Sequence, residues 1–211
     1  YAQQLDQSVH DAAALSHPGA DGERGRRAAL FNQRFIPYMT RIGLKAGEKG
    51  ETLSSHWLGL TNEEAAAMTG GDGSIFNPAV RDAWKKSIEK RIVGLPEIGP
   101  LVYTLGDENY FSYEAGFSPS DTAAFPEFLK TRYKTIEALN KEWGTSHKSF
   151  EEITRATSDE MLKKGEISLL YAHRRFMEMQ YAETHHFLAQ AIKAIDPQAL
   201  VGAEGSVPGD I

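Results

Sequence analysis

The stretch that most limits what this chain can become is Leu101-Val102-Tyr103-Thr104-Leu105, a mostly apolar, β-rich run that passes without a spacer into Gly106-Asp107-Glu108-Asn109-Tyr110. A run of that length and content predicts a strand buried on both faces, which is the property of parallel sheets covered by helices. Parallel neighbours need long crossover connections, and helices supply them. Gly43-Leu44-Lys45-Ala46-Gly47 and Ala199-Leu200-Val201-Gly202-Ala203 read as further short strands, with long helical segments between. The expected fold class is therefore α/β with parallel strands and a long helical excursion after the strand at 101–105.

Asn77-Pro78 is a helix start: Asn caps, and Pro at the first helical position gives up an N–H that would have no partner there. Val80, Trp84, Ile88 and Ile92 follow at four-residue steps and form one buried stripe. Pro126 to Trp143 is expected to be a second amphipathic helix, closed by Gly144. Ser149 and Glu152 have capping-box spacing for another. A long helix is expected from Ile167 to Ile195 and is stopped by Asp196-Pro197. Phe31, Phe35, Ile36, Met39 and Ile42 recur at helical offsets, with Pro37 breaking the helix into short pieces. Residues 1–30, with His17-Pro18-Gly19, Asp21-Gly22 and Gly25-Arg26-Arg27, read as a loop-rich entry.

Composition removes several function classes. Acidic residues outnumber basic ones by 29 to 23, a formal charge of −6, which disfavours nucleic acid as the main partner because phosphates are bound by clustered Lys and Arg. The chain has no Cys, so thiolate nucleophiles, disulfides and Cys-ligated zinc are excluded. No apolar run approaches the roughly 18 residues of a membrane span. Glu183, His185 and His186 lack the His-Glu-x-x-His spacing of a metal site and read as a solvated helix face. Gly70-Gly71-Asp72-Gly73-Ser74 lacks the Lys-Ser/Thr that a phosphate loop requires.

Ligands of α/β proteins gather at the carboxyl ends of the strands, and Glu108 stands there. Strand burial and the neighbouring charge of Asp107 both disfavour its ionised form, as a general acid requires. The alternative is that Asp107 and Glu108 only cap a following turn. Trp57, beside His56, Glu48 and Glu51, has the make-up of a sugar-stacking platform with polar flanks, or of a core residue. Tyr110 and Tyr113 are placed to line the same cleft; Trp84 and Trp143 lie on helix stripes and read as packing.

Residues 77–205 carry a resemblance. Asn77-Pro78 through Trp84, the strand into Asp107-Glu108-Asn109-Tyr110, Phe125-Pro126-Glu127-Phe128-Leu129-Lys130-Thr131-Arg132-Tyr133, and Leu139-Asn140-Lys141-Glu142-Trp143-Gly144-Thr145 are similar to glycoside hydrolase family 42, the β-galactosidase type. The resemblance implies a (β/α)8 barrel with the general acid/base at the end of the fourth strand and the nucleophile on the seventh. Glu108 then corresponds to the acid/base and residues 199–203 to the fifth strand, which leaves the nucleophile's strand outside these 211 residues. A whole barrel usually takes about 250 residues. The expectation is one domain, a partial barrel, with entry and early barrel elements in 1–76 and the central barrel in 77–211.

Glu204, also at a strand end, resembles a substrate-pocket position more than the nucleophile. The family usually has Asn directly before its acid, whereas here Asp107 precedes Glu108 and Asn109 follows it. An Asp accepts a hydrogen bond from a sugar's 2-hydroxyl but cannot donate one. The expected site is therefore Glu108 as catalytic acid/base, with Asp107, Asn109, Tyr110, Trp57 and Glu204 at the substrate. The expected partner is an oligosaccharide or polysaccharide, without cofactor, nucleic acid or membrane, in a homo-oligomer that the resemblance makes a trimer. Two competitors remain: a non-catalytic carbohydrate-binding or scaffold protein, and a helix-rich interaction module in which Asp107 and Glu108 merely cap.

Overall fold

The computed structural model describes residues 13–15, 21–32, 34–46, 51–53 and 55–205. Four parallel strands lie side by side. β1 (Ala13–Leu15) pairs with β2 (Phe35–Pro37). β2 is joined to β5 (Tyr103–Thr104) by a parallel bridge between Tyr38 and Thr104 and by hydrogen bonds from Leu101 N–H to Phe35 O and Met39 N–H to Thr104 O. β5 pairs with β7 (Val201–Gly202). Past its strand end β2 continues into β3 (Gly43–Lys45), which takes β6 (Tyr110–Phe111) as a parallel neighbour and β4 (Thr52–Leu53) as an antiparallel one. The three strands expected from the sequence are thus present, each only two or three residues long.

Helices fill the crossovers. α1 (Asp21–Leu30) connects β1 to β2, so the loop-rich entry expected over 1–30 needs correction. Gly25, taken as a turn signal, is instead where this helix meets its strand: a Cβ there would lie 2.6 Å from the Phe35 ring. Where helical pieces were expected between Phe31 and Ile42 the structure has strand at Phe35–Pro37 and a bridge at Tyr38, because a short apolar run shows no period that separates strand from helix. Between β4 and β5 come α2 (Ser55–Leu58), α3 (Asn62–Thr69) and α4 (Pro78–Arg91). α4 starts as expected, with Asn77 Oδ1 accepting from Ala79 N–H at 2.9 Å and Val80, Trp84 and Ile88 buried.

The excursion between β6 and β7 holds α5 (Pro119–Tyr133), α6 (Ile136–Trp143), α7 (Ser158–Lys164) and α8 (Ile167–Lys193). The single helix expected over Pro126 to Trp143 is two. α5 begins earlier, at a capping box of Ser118 and Asp121 with Pro119 in the first turn, and carries Pro126 inside. Lys134 then takes a positive φ of 65° and Thr135 caps α6. Ser149 caps nothing, since Glu152 accepts from the Lys148 amide and only a 3-10 turn forms at Phe150–Glu152. The working capping box is Thr157 with Glu160, at the start of α7. α8, 27 residues long, covers the expected span, and its buried Phe176 packs against Phe76, Phe125 and Phe128 in the shared core. Among the described residues no helix is long and apolar enough to cross a membrane.

Candidate active site

The ends of β5 and β7 are zipped together beyond their assigned strands. Leu105 N–H donates to Gly202 O at 2.7 Å, Glu204 N–H to Gly106 O at 2.8 Å and Glu108 N–H to Gly205 O at 3.0 Å. Gly106 makes this possible: its φ is +113°, and a Cβ would fall 2.4 Å from Thr40 O. Only glycine tolerates both demands.

Asp107 turns its backbone N–H to the Tyr38 hydroxyl, and its Oδ1 accepts from the Glu108 amide at 2.8 Å. Glu108 itself sits at φ +49°, one of three non-glycine residues with positive φ among those described. A bulky side chain held there stores roughly 1–3 kcal/mol of backbone strain, and such strain collects at functional positions. The Glu108 carboxylate reaches outward, 61% exposed, and its Oε2 lies 2.7 Å from Arg41 Nη2. The burial expected from its position after an interior strand does not extend to this side chain: the buried run ends at Gly106, and the left-handed turn lifts Glu108 out.

Asn109 goes the other way. It is 2% exposed, its Oδ1 accepts from Ile42 N–H at 2.8 Å, and its Nδ2 donates to Leu105 O at 3.1 Å and to His185 Nε2 at 3.0 Å. Both amide hydrogens are committed inside the protein. His185 Nδ1 donates to Tyr181 O at 2.8 Å, a tautomer that leaves Nε2 as the acceptor for Asn109. Burial lowers the imidazole's pKa below its ordinary value and keeps it neutral, with the bond to Tyr181 opposing in part. The solvated face expected for the 183–186 cluster holds for Glu183 and His186, which are exposed, and fails for His185. His185 is half-buried at the edge of the α8 stripe that holds Thr184 and Leu188, and its three-residue spacing from Leu188 was the sequence signal for this role. Among the described residues no group of three or more potential ligands could hold a metal ion.

Sequence reasoning missed Tyr38 and Arg41, which come from the extended segment between β2 and β3. Tyr38 is buried beside the strand end; burial raises its hydroxyl's pKa, and the charges of Asp107 and Glu204 add to the effect while the Asp107 amide opposes it. Its ring packs on Trp57, centroids 5.2 Å apart, so Trp57 stands next to the residue that holds Asp107. Arg91 lies 4.9 Å from the same indole, and the Trp57 carbonyl accepts from Ser87 Oγ and Arg91 Nη2. Tyr110 is half-buried on β6, with Lys45 Nζ 5.4 Å from its ring centre. Tyr113 has Arg174 over its ring at 5.0 Å.

Glu204 is exposed at the end of β7, directly beside the end of β5. The sequence grouping of Glu51 with Trp57 does not hold: Glu51 is buried and accepts from the Gly116 and Phe117 amides. Glu48 lies outside the described residues, as does the side chain of His56. The 70–74 glycine run is a helix-end connection, with Gly70 left-handed at the end of α3 and Asp72 accepting from Ser74 N–H and Ser120 N–H. The structure thus brings Asp107, Glu108 and Glu204 to one rim, sets Trp57 behind Tyr38, and turns Asn109 beneath.

The sequence pattern of the family Glyco_hydro_42, described as Beta-galactosidase, matches residues 77–206, more than half of the chain. No curated protein matches. Among solved structures the chain is similar to an agarase, AgWH50C, at 16% identity and a TM-score of 0.52, covering 89% of this chain and 27% of that one. It is also similar to an exo-beta-agarase at 16% identity and a TM-score of 0.50, covering 86% of this chain and 25% of that one. The chain therefore spans about a quarter of the length of these structures.

Proposed function

We propose, because the chain belongs to the Glyco_hydro_42 β-galactosidase family, that it is the central part of a retaining glycoside hydrolase in which Glu108 is the general acid/base. Its four adjacent parallel strands are on this proposal half of a (β/α)8 barrel, with β5 the fourth barrel strand and β7 the fifth. The substrate class is a β-linked galactoside within an oligosaccharide or polysaccharide. That class is supported by the family's description and by the agarase names of the similar structures.

The observation that carries the proposal is the backbone at Glu108: a carboxylate thrust out of a buried strand end by a left-handed residue, beside the rim shared with Asp107 and Glu204. In a retaining reaction the acid protonates the departing glycosidic oxygen while a second carboxylate, about 5–5.5 Å away, attacks the anomeric carbon; the first group then takes a proton from the water that completes hydrolysis. Glu204 is assigned to the substrate pocket, and the attacking carboxylate to a barrel strand not among those described. Asp107 and Tyr110 border the sugar, Trp57 backs the wall through Tyr38, and Asn109 supports the turn from beneath.

The test is Glu108→Gln in the intact enzyme. Turnover of an unactivated β-galactoside should fall by about 10²–10⁴-fold, with substrates carrying good leaving groups losing much less. Unchanged hydrolysis of the unactivated substrate rejects the assignment. Sugar binding with no turnover in the unsubstituted protein supports the non-catalytic carbohydrate-binding alternative instead.

A further inference from the structure

The Glu108 side chain meets Arg41 at the surface, so its direction rests on the backbone that carries it. Before the residue, that backbone is tied by the Asp107 amide to the Tyr38 hydroxyl and by the Glu108 amide to Gly205 O at 3.0 Å. After it, the tie is the buried side chain of Asn109, and Asn109 is held in turn by α8.

Every donor and acceptor in this second tie is fixed by its partner. The Ile42 amide can only donate, so it takes the Asn109 oxygen, 2.8 Å away, and turns the side-chain NH2 the other way. Leu105 O can only accept, and it holds one of the two amide hydrogens at 3.1 Å. The other goes to His185 Nε2 at 3.0 Å, which must therefore be bare. It is bare because His185 Nδ1 faces Tyr181 O at 2.8 Å, a carbonyl that can only accept, and so carries the ring's hydrogen. The ring accepts in this way only while neutral, and burial keeps it neutral. Tyr181, one helical turn before His185, reaches the Asn109 carbonyl with its hydroxyl at 3.5 Å and sets its ring edge-on to Phe111 of β6, centroids 5.5 Å apart. α8 thus grips residues 109–111 from two successive turns, and its own place is fixed by the buried Phe176, Thr184 and Leu188.

The bonds of Asn109 lead to both members of the rim pair. Ile42 follows Arg41 in the chain, and its carbonyl accepts from the Tyr110 amide at 3.1 Å, so the segment bearing Arg41 is fastened to the segment after Glu108. Leu105 stands just past β5, ahead of the turn that carries Glu108. One side chain therefore spaces the end of β5 from the Arg41 segment, and it keeps its orientation only while its last amide hydrogen has an acceptor.

We propose that His185 is a positioning residue for the Glu108 carboxyl, acting through Asn109. It touches neither the carboxyl nor the space where a sugar would lie. Its importance for turnover rests on the reading of Glu108 as general acid/base; its hold on Asn109 and Ile42 does not. Without the acceptor, the Asn109 amide is free to turn, and the Glu108 peptide loses its reference to both neighbouring segments.

The experiment compares Glu108→Gln, His185→Phe and His185→Gln in the intact enzyme, with amide exchange read at Ile42. Phe keeps a ring and removes the acceptor, whereas Gln returns an acceptor oxygen at about the reach of Nε2. In His185→Phe, kcat on unactivated β-galactosides should fall about 10–100-fold at an unchanged KM, while substrates with good leaving groups lose little. His185→Gln should recover most of that loss, and Ile42 protection should fall and return in step. A packing role alone lowers the unfolding midpoint and leaves the dependence on leaving group untouched. Unaltered turnover in His185→Phe, an equal loss on every substrate, or no recovery in His185→Gln each overturn the proposal. If Glu108→Gln itself shows no dependence on leaving group, the acid/base reading falls, and Ile42 protection decides the positioning role: lowered by Phe and restored by Gln supports it, unchanged in both overturns it. If His185→Phe does not fold, nitrogen-15 spectra of the His185 ring in the unsubstituted protein decide: a hydrogen on Nδ1 with Nε2 bare supports the role, and a hydrogen on Nε2 overturns it.

Discussion

Two acidic neighbourhoods in this molecule use the same side chains to opposite ends. At the rim, Glu108 is exposed and leans on a half-buried Arg41, a pairing open to water whose worth is about 1 kcal/mol or less. Inside, Asp121 and Glu51 are held by Ser118, Gln180 and the Gly116 and Phe117 amides, with Arg155 close by. The interior group is built to hold elements together. The rim is built loosely, which suits the proposed role of Glu108 as a carboxyl that exchanges a proton with a visiting molecule. Burial, more than residue type, separates structural acid from reactive acid.

The sharpest way to break the comparison is Asp121→Ala, which strips the Ser118 amide and hydroxyl and the Gln180 amide group of their acceptor. With these buried donors stranded at about 1–3 kcal/mol each, a loss of about 3–5 kcal/mol in denaturant unfolding is expected. Asn109→Ala tests the floor between the two regions. With the Ile42 amide and Leu105 carbonyl left without their side-chain partner in a buried place, about 2–4 kcal/mol should go. Arg41→Ala should cost less than about 1 kcal/mol. If it costs as much as Asp121→Ala, the rim is a structural network and the contrast is wrong. The smallest effect has the opposite sign: Glu108→Gly relieves the positive φ and should raise the melting temperature slightly, a gain of roughly 0.5–1 kcal/mol, while the proposed role of Glu108 requires that turnover be lost.

The parts of the fold that could be read in advance were those with local punctuation. Asn77-Pro78 announced α4, Asp196-Pro197 bounded α8, and the run into Gly106 marked β5. Errors arose where a local signal had a distant cause. Gly25 looked like a turn because its reason, the Phe35 ring, is ten positions away in sequence. Thr135 outweighed a continuous apolar stripe by capping a new helix directly after Lys134, whose φ is positive. At the rim, Glu108 was legible from its place after a strand, whereas Arg41 and Tyr38 were not, since each acts across 67 or 69 residues on a partner that only the parallel pairing of β2 with β5 supplies. Glu51 was assigned to its neighbour in sequence, and its true partners are 65 and 66 residues on.

The left-handed residue at 108 has an implication for how such a chain can change over time. A side chain aimed chiefly by the twist of its own peptide, with little help from packed neighbours, keeps its direction when those neighbours are exchanged. Tyr110, Trp57 and Glu204 are then free to vary around it, while the point from which the carboxyl leaves the strand end stays put.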